Sequence, residues 1–136
     1  PRQVRHSRVA RTVIIGIGVD IVDVERFKWM LRRTPATLER TLTPAETHDG
    51  SGRARSAESL AARFAAKEAV VKALGDVGEL RPLECEVQTA DSGRPVLRLL
   101  GKLKELSDEL GITDWHVSLA HDGGQAIAYV IAERRE

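Results

Sequence analysis

A single cysteine, Cys85, in 136 residues excludes an internal disulfide and any cysteine-rich zinc site. It suits a reducing compartment, and the cytoplasm is the expectation. Aromatic residues make up only 4% of the chain, so a core must be built from Val, Ile, Leu and Ala. A stacking platform for single-stranded bases is hard to assemble from so few rings. No apolar run approaches the about 20 residues needed to cross a bilayer. The opening PRQVRHSRVAR lacks the apolar stretch of a secretory signal, and it also lacks acids. Setting its Arg2, Arg5, Arg8 and Arg11 aside from the 21 basic residues leaves 17 against 20 acidic ones, so the body is mildly acidic although the formal charge is +1. Neither a nucleic acid nor a membrane is the expected partner. Residues 1–11, which begin without methionine, are expected to be a disordered or added basic tail, and 12–136 a single domain.

With 42% hydrophobic and 30% charged residues, the composition is that of an ordinary globular domain. From Val13 to Val22 the chain alternates: Val13, Ile15, Ile17, Val19 and Ile21 share one strand face, Gly16, Gly18 and Asp20 the other. The apolar face is expected to be core. The glycine face is open to the approach of a backbone or a ligand, and Asp20 projects from it as a half-buried carboxylate. Asp20 is equally well read as a cap for the next helix.

Asp23 is placed to cap a helix carrying Val24, Phe27, Met30 and Leu31 at helical spacing, ending before Pro35. Thr43, Pro44 and Glu46 announce a short helix with a capping box. His48 to Ser56, HDGSGRARS, is expected to be an exposed, mobile loop. Cys85–Ala90 and Val96–Leu99, joined through DSGRP, form one hairpin signal, and WHVSLAH, DGG, QAIAYVIA a second. Leu103, Leu106 and Leu110 mark a helix stopped by Gly111. This order is not a regular strand-helix alternation, so the expected class is α+β, with a mainly antiparallel sheet packed on a long helix.

That long helix contains RFAAKEAVVKALG, Arg63 to Gly75. Leu60, Phe64, Val71 and Leu74 cluster on one side of it, and Lys67 falls inside the same arc with Glu68 at its edge. Asp20 and Glu68 are the carboxylates in the most apolar surroundings, and a magnesium ion would relieve their repulsion if they met. Lys67 and Lys72 then become phosphate clamps, Lys72 the better placed. The plainer alternatives are a Glu68–Lys72 ion pair on the helix surface and a Lys67 that snorkels from the core edge. His121 and Asp122 sit at a strand end before a turn, as structural residues or as a proton relay. His6, His48 and His116 have no companion at zinc-ligand spacing.

Taken together, IGIGVDIVDVERF, RFAAKEAVVKALG and the late VSLAHD resemble the holo-[acyl-carrier-protein] synthases, small phosphopantetheinyl transferases, over about Ile14 to Ala132. The resemblance implies a compact α+β fold assembled as a homotrimer, with coenzyme A bound between subunits. It implies transfer of phosphopantetheine from coenzyme A to a serine of apo-acyl carrier protein, dependent on magnesium. Asp20 and Glu68 would be the metal ligands and Lys72 a phosphate contact. Glu68 would take the serine proton, with His121 and Asp122 competing for that role. Arg63, Gly93, Arg94 and Pro95 would contact the nucleotide end, Lys72 and His121 would also bind coenzyme A, and Arg26 would dock the carrier protein. Ala120 stands where relatives often place a hydroxyl. Another magnesium-dependent phosphoryl enzyme, or more remotely a basic nucleic-acid-binding module, are the alternative functions.

Overall fold

The computed structural model describes residues 11–136. The elements run β1 (Thr12–Asp23), α1 (Val24–Arg33), α2 (Ala36–Thr41), α3 (Pro44–Thr47), α4 (Ala57–Leu74), β2 (Cys85–Thr89), β3 (Pro95–Leu99), α5 (Gly101–Glu109), β4 (Asp114–Asp122) and β5 (Gln125–Arg135). All strand pairs are antiparallel. They form two sheets: β1-β5-β4, and the separate ribbon β2-β3. The basic tail lies outside the described residues except Arg11, whose carbonyl accepts a hydrogen bond from the Glu136 amide at 2.8 Å.

The α+β class follows from how α4 is used. Seven of its eighteen residues are alanines, and Ala61, Ala62, Ala65, Ala66, Ala69 and Ala73 are all buried. Small side chains let this helix lie against β1 and β5 while other elements close over it. Its burial therefore runs round most of the cylinder, and the single stripe expected from periodicity is absent. On the sheet side it meets Ala128, Val130 and Ala132 of β5, with Val87 and Leu103 completing one core cluster. Val24 and Phe27 of α1 join Leu42, Leu60 and Ala126 in the second.

Strand β1 reverses one expectation. Its glycine face is the inner one, and Ile17, Val19 and Ile21 are exposed, Ile21 at 61%. The register sets them beside Ile131, Tyr129 and Ile127 of β5, so the outer face of the sheet carries a continuous apolar area. The cause is clearance. A Cβ on Gly16 would stand 1.9 Å from the Ala73 carbonyl oxygen, and one on Gly18 1.8 Å from that of Ala69. Only a bare strand face admits α4 so closely. The backbone that approaches the glycines is the helix.

The 48–56 segment is also more ordered than its composition suggests. Asp49 Oδ1 accepts from the Ser51 amide, the Ser51 hydroxyl and the Arg53 amide, and His48 bridges to Ala54. These local bonds tie the loop into a tight turn. Helix α2, six residues with no buried side chain, has no sequence signal strong enough to announce it.

Candidate active site

Asp23 starts α1 as expected, its side chain accepting from the Arg26 amide at 2.9 Å, which leaves Asp20 without a capping duty. Asp20 faces α4 from the same side of β1 as Gly16 and Gly18, and there it meets Lys72. The ammonium lies 3.0 Å from Asp20 Oδ1 and 2.9 Å from the Val19 carbonyl oxygen. The ion pair expected between Glu68 and Lys72 is replaced by this cross-element pair. Glu68, one turn earlier, is half-buried. Burial pushes its carboxyl above the ordinary glutamate range, the charge of Asp20 pushes in the same direction, and Lys72 only partly opposes them.

These groups open onto a groove of about 780 Å³ between β1, α1 and α4. Asp20, Glu68 and Arg26 line it together with apolar walls from Phe27, Met30 and Phe64. Two carboxylates close enough to influence each other, hard oxygen donors with one ammonium bonded to Asp20, suit a magnesium ion, which commonly takes one or two carboxylates and keeps positions for water and phosphate. Among the described residues no group of three His, Cys, Asp or Glu side chains could enclose a metal. The donor set thus fits an open site and not a closed structural one.

Lys67 is neither a clamp nor a snorkelling residue. It points to the opposite side of α4, is 1% exposed, and donates to Glu46 Oε1 at 2.7 Å, to the Pro82 carbonyl at 2.8 Å and to the Cys85 carbonyl. Glu46 is the expected capping residue of α3, accepting from the Thr43 amide at 2.9 Å, but its second oxygen also takes the Val87 amide at 2.8 Å. Every strong donor and acceptor of the pair is used, which is what makes two buried charges tolerable. Burial likewise pushes the neighbouring Cys85 thiol up to about 12, which removes it as a nucleophile.

A second groove, about 440 Å³, gathers Arg63, Gly93, Arg94, Pro95 and His121 with Ser59. All the residues expected to bind coenzyme A except Lys72 converge here from α4, the β2-β3 turn and β4. Gly93 turns the hairpin at φ 87°, which sets Arg94 at the groove wall. Arg63 is 7% exposed and is in no ion pair among the described residues, although the charge of Glu46 partly favours its charged form. Its guanidinium is held by the Ser59 hydroxyl at 2.7 Å while its Nε has no partner. Burial lowers it to about 10, and the neighbouring charge of Arg55 adds to the effect. Within the cavity itself, Arg63 and Arg94 are two like charges on one lining, which makes it an anion site. Arg55 and Ser59 were not anticipated; the Arg-rich loop was visible in the sequence, but its target was not.

His121 also borders a recess that contains Asp122, Glu58 and Glu25. The four side chains expected to be catalytic are therefore split within one chain, with Glu68 and Lys72 on one side and His121 and Asp122 on the other. No lining residue is common to the two main grooves.

Known proteins resemble this chain in sequence and in fold. The chain is 50% identical over 122 residues to a holo-[acyl-carrier-protein] synthase of Salinispora arenicola, covering 90% of this chain and all of that one. It is 52% identical over 120 residues to the Frankia alni protein of the same name, covering 88% and 98%. Its fold matches the holo-ACP-synthase crystal structure from Plasmodium yoelii with a TM-score of 0.80 at 29% identity, over 93% of this chain and 99% of that one. It matches the Helicobacter pylori holo-[acyl-carrier-protein] synthase, solved in complex with coenzyme A, with a TM-score of 0.71 at 34% identity, over 85% and 98%. The model of the 4'-phosphopantetheinyl transferase superfamily spans residues 16–130, from the glycine face of β1 to the middle of β5. With that model running through most of the chain and relatives about half identical along nearly all of it, the chain belongs to the 4'-phosphopantetheinyl transferase superfamily.

Proposed function

We propose that this protein transfers the phosphopantetheine arm of coenzyme A to a serine of apo-acyl carrier protein, releasing adenosine 3',5'-bisphosphate. The observation that carries this reading is the pairing of Glu68 with Asp20 beside Lys72, at the mouth of a groove. Two half-buried carboxylates with a single ammonium ask for a further cation, and a pyrophosphate asks for the same one. Asp20 and Glu68 would hold magnesium, which when bound neutralises charge building on the phosphates.

The Arg63, Arg94 and His121 groove takes the bisphosphate-bearing nucleotide end, where Arg63 acts through its guanidinium. Lys72, paired with Asp20 beside the other groove, holds the pyrophosphate. The serine hydroxyl attacks the phosphorus that carries the pantetheine arm. The bond from that phosphorus to the bridging oxygen breaks, and its electron pair leaves with adenosine bisphosphate. Glu68 accepts the serine proton, a role suited to a carboxylate whose proton affinity is raised above the ordinary range. His121 and Asp122 are the competing acceptors. Arg26, exposed on α1 at the rim of the carboxylate groove, contacts the carrier protein.

A homotrimer with its sites between subunits would unite the two grooves, the nucleotide groove of one subunit facing the carboxylates of the next. The exposed apolar face of β1 and β5 supports such an assembly, because an unpaired area of this kind marks an interface. Mass spectrometry of an apo-acyl carrier protein incubated with coenzyme A and magnesium tests the function. The carrier should gain one phosphopantetheine, with equimolar adenosine bisphosphate, and Asp20→Ala and Glu68→Ala should each prevent it. A carrier of unchanged mass with the wild-type protein would overturn the proposal.

A further inference from the structure

Ser59 and Arg63 stand one helical turn apart near the start of α4, both on the lining of the nucleotide groove. Ser59 is itself fixed by the helix start, because the N-cap hydroxyl of Ser56 accepts from the Ser59 amide at 3.2 Å. From there Ser59 holds the arginine by two atoms. Its hydroxyl accepts from Arg63 Nη1 at 2.7 Å, and its carbonyl accepts from the same nitrogen at 3.3 Å. Both hydrogens of Nη1 are then used, and the hydroxyl has the shorter bond. On a solvated helix face such a pair would need no explanation, but Arg63 is buried.

The rest of the guanidinium is left over. Nε is buried without a partner, and Nη2 makes no hydrogen bond among the described residues. Side by side, these two nitrogens form an edge that can meet two oxygens of one phosphate in parallel. The fold offers that edge no carboxylate. Glu46 is close enough to favour the charge of Arg63, but its Oε1 already accepts from Lys67 and the Thr43 amide, and its Oε2 from the Val87 amide. We propose that Ser59 is a positioning residue for nucleotide binding: it pins Nη1 so that the Nε and Nη2 edge of Arg63 is presented to a phosphate of the ligand. Without the hydroxyl, the ligand itself must order a long side chain, and that ordering costs affinity. The proposal rests on the transfer reading above and adds to it a residue that acts through Arg63.

The test is isothermal titration of the enzyme with adenosine 3',5'-bisphosphate, beside steady-state transfer. Ser59→Ala should weaken bisphosphate binding about tenfold, the size of one lost hydrogen bond to a charged group. Ser59→Thr, which keeps the hydroxyl, should recover most of the loss. KM for coenzyme A should rise by a similar factor in Ser59→Ala, while KM for the carrier protein and kcat at saturating substrates stay at wild-type values. Arg63→Ala should weaken the bisphosphate further, and adding Ser59→Ala to it should change nothing more, because a positioning residue has no effect once its target is gone. Wild-type affinity in Ser59→Ala would overturn the proposal and leave the transfer reading standing. A further tenfold loss on adding Ser59→Ala to Arg63→Ala would also overturn it, since Ser59 would then touch the ligand itself. No uptake of the bisphosphate and no transfer by the wild type would defeat both readings.

Discussion

Lys67 and Glu46 meet at 2.7 Å with neither side chain in contact with solvent, 1% and 0% exposed. The pair joins α3 to α4, and its remaining bonds reach β2 and the turn at Pro82. Breaking it from one side leaves an uncompensated buried charge. Lys67→Met or Glu46→Gln should lower unfolding free energy by about 3–5 kcal/mol. Combining both changes should cost much less than the sum. Urea denaturation of the four proteins measures this, and a wild-type midpoint for either single variant would contradict it.

Gly18→Ala should destabilise by about 3 kcal/mol, the upper end for an overpacked core. The added Cβ would meet the Ala69 carbonyl oxygen, a backbone atom that cannot swing aside. Because Asp20 and Lys72 join across the same strand-helix seam, the variant should also lose transfer activity beyond its loss of folded protein. Thermal melts and specific activity at a temperature where the variant remains folded give the two readouts.

Glu68 links stability to pH with a definite sign. Its folded carboxyl binds a proton more tightly than the unfolded one. The associated stability is fully present below the unfolded glutamate range and is lost as pH rises through the folded value. Without divalent cations, Glu68→Gln should therefore be more stable than wild type near neutral pH and indistinguishable from it in acid. Magnesium should reverse the order at neutral pH by stabilising only the wild type. Melting temperatures across pH, with and without magnesium, check both halves.

Arg63 is buried and in no ion pair among the described residues, so a phosphate ligand should stabilise the protein through it. Adenosine 3',5'-bisphosphate at 100 times its dissociation constant should add about 2.7 kcal/mol to the wild type. Arg63→Ala should show almost none of that gain at the same concentration. A ligand-induced rise of equal size in both proteins would remove Arg63 from the anion site.

Ile21 stands 61% exposed at one end of the outer apolar area, opposite Ile127. Ile21→Glu should give monomers in sedimentation velocity, with unchanged far-ultraviolet circular dichroism and loss of transfer. Retention of the wild-type assembly would place the subunit contact elsewhere.

Local signals were enough for much of this. Asp23 as a cap, Pro44 at a helix start, two hairpins with glycine turns and the alternation in β1 are short-range chemistry, written within a few residues and readable there. The motifs around Asp20, Glu68, Arg63 and His121 were legible for the same reason. What the chain order alone did not decide was direction. A strand with one glycine face and one isoleucine face does not say which is inner, because that depends on how closely α4 approaches, and only the folded molecule puts the Ala69 and Ala73 carbonyls against those glycines. Nor could the helical period name the partner of either Lys67 or Lys72. The first finds Glu46, 21 positions earlier, and disappears into the core; the second finds Asp20, 52 positions earlier, and stays at the site. Charges choose partners by distance in space, and that distance exists only after the helix has packed.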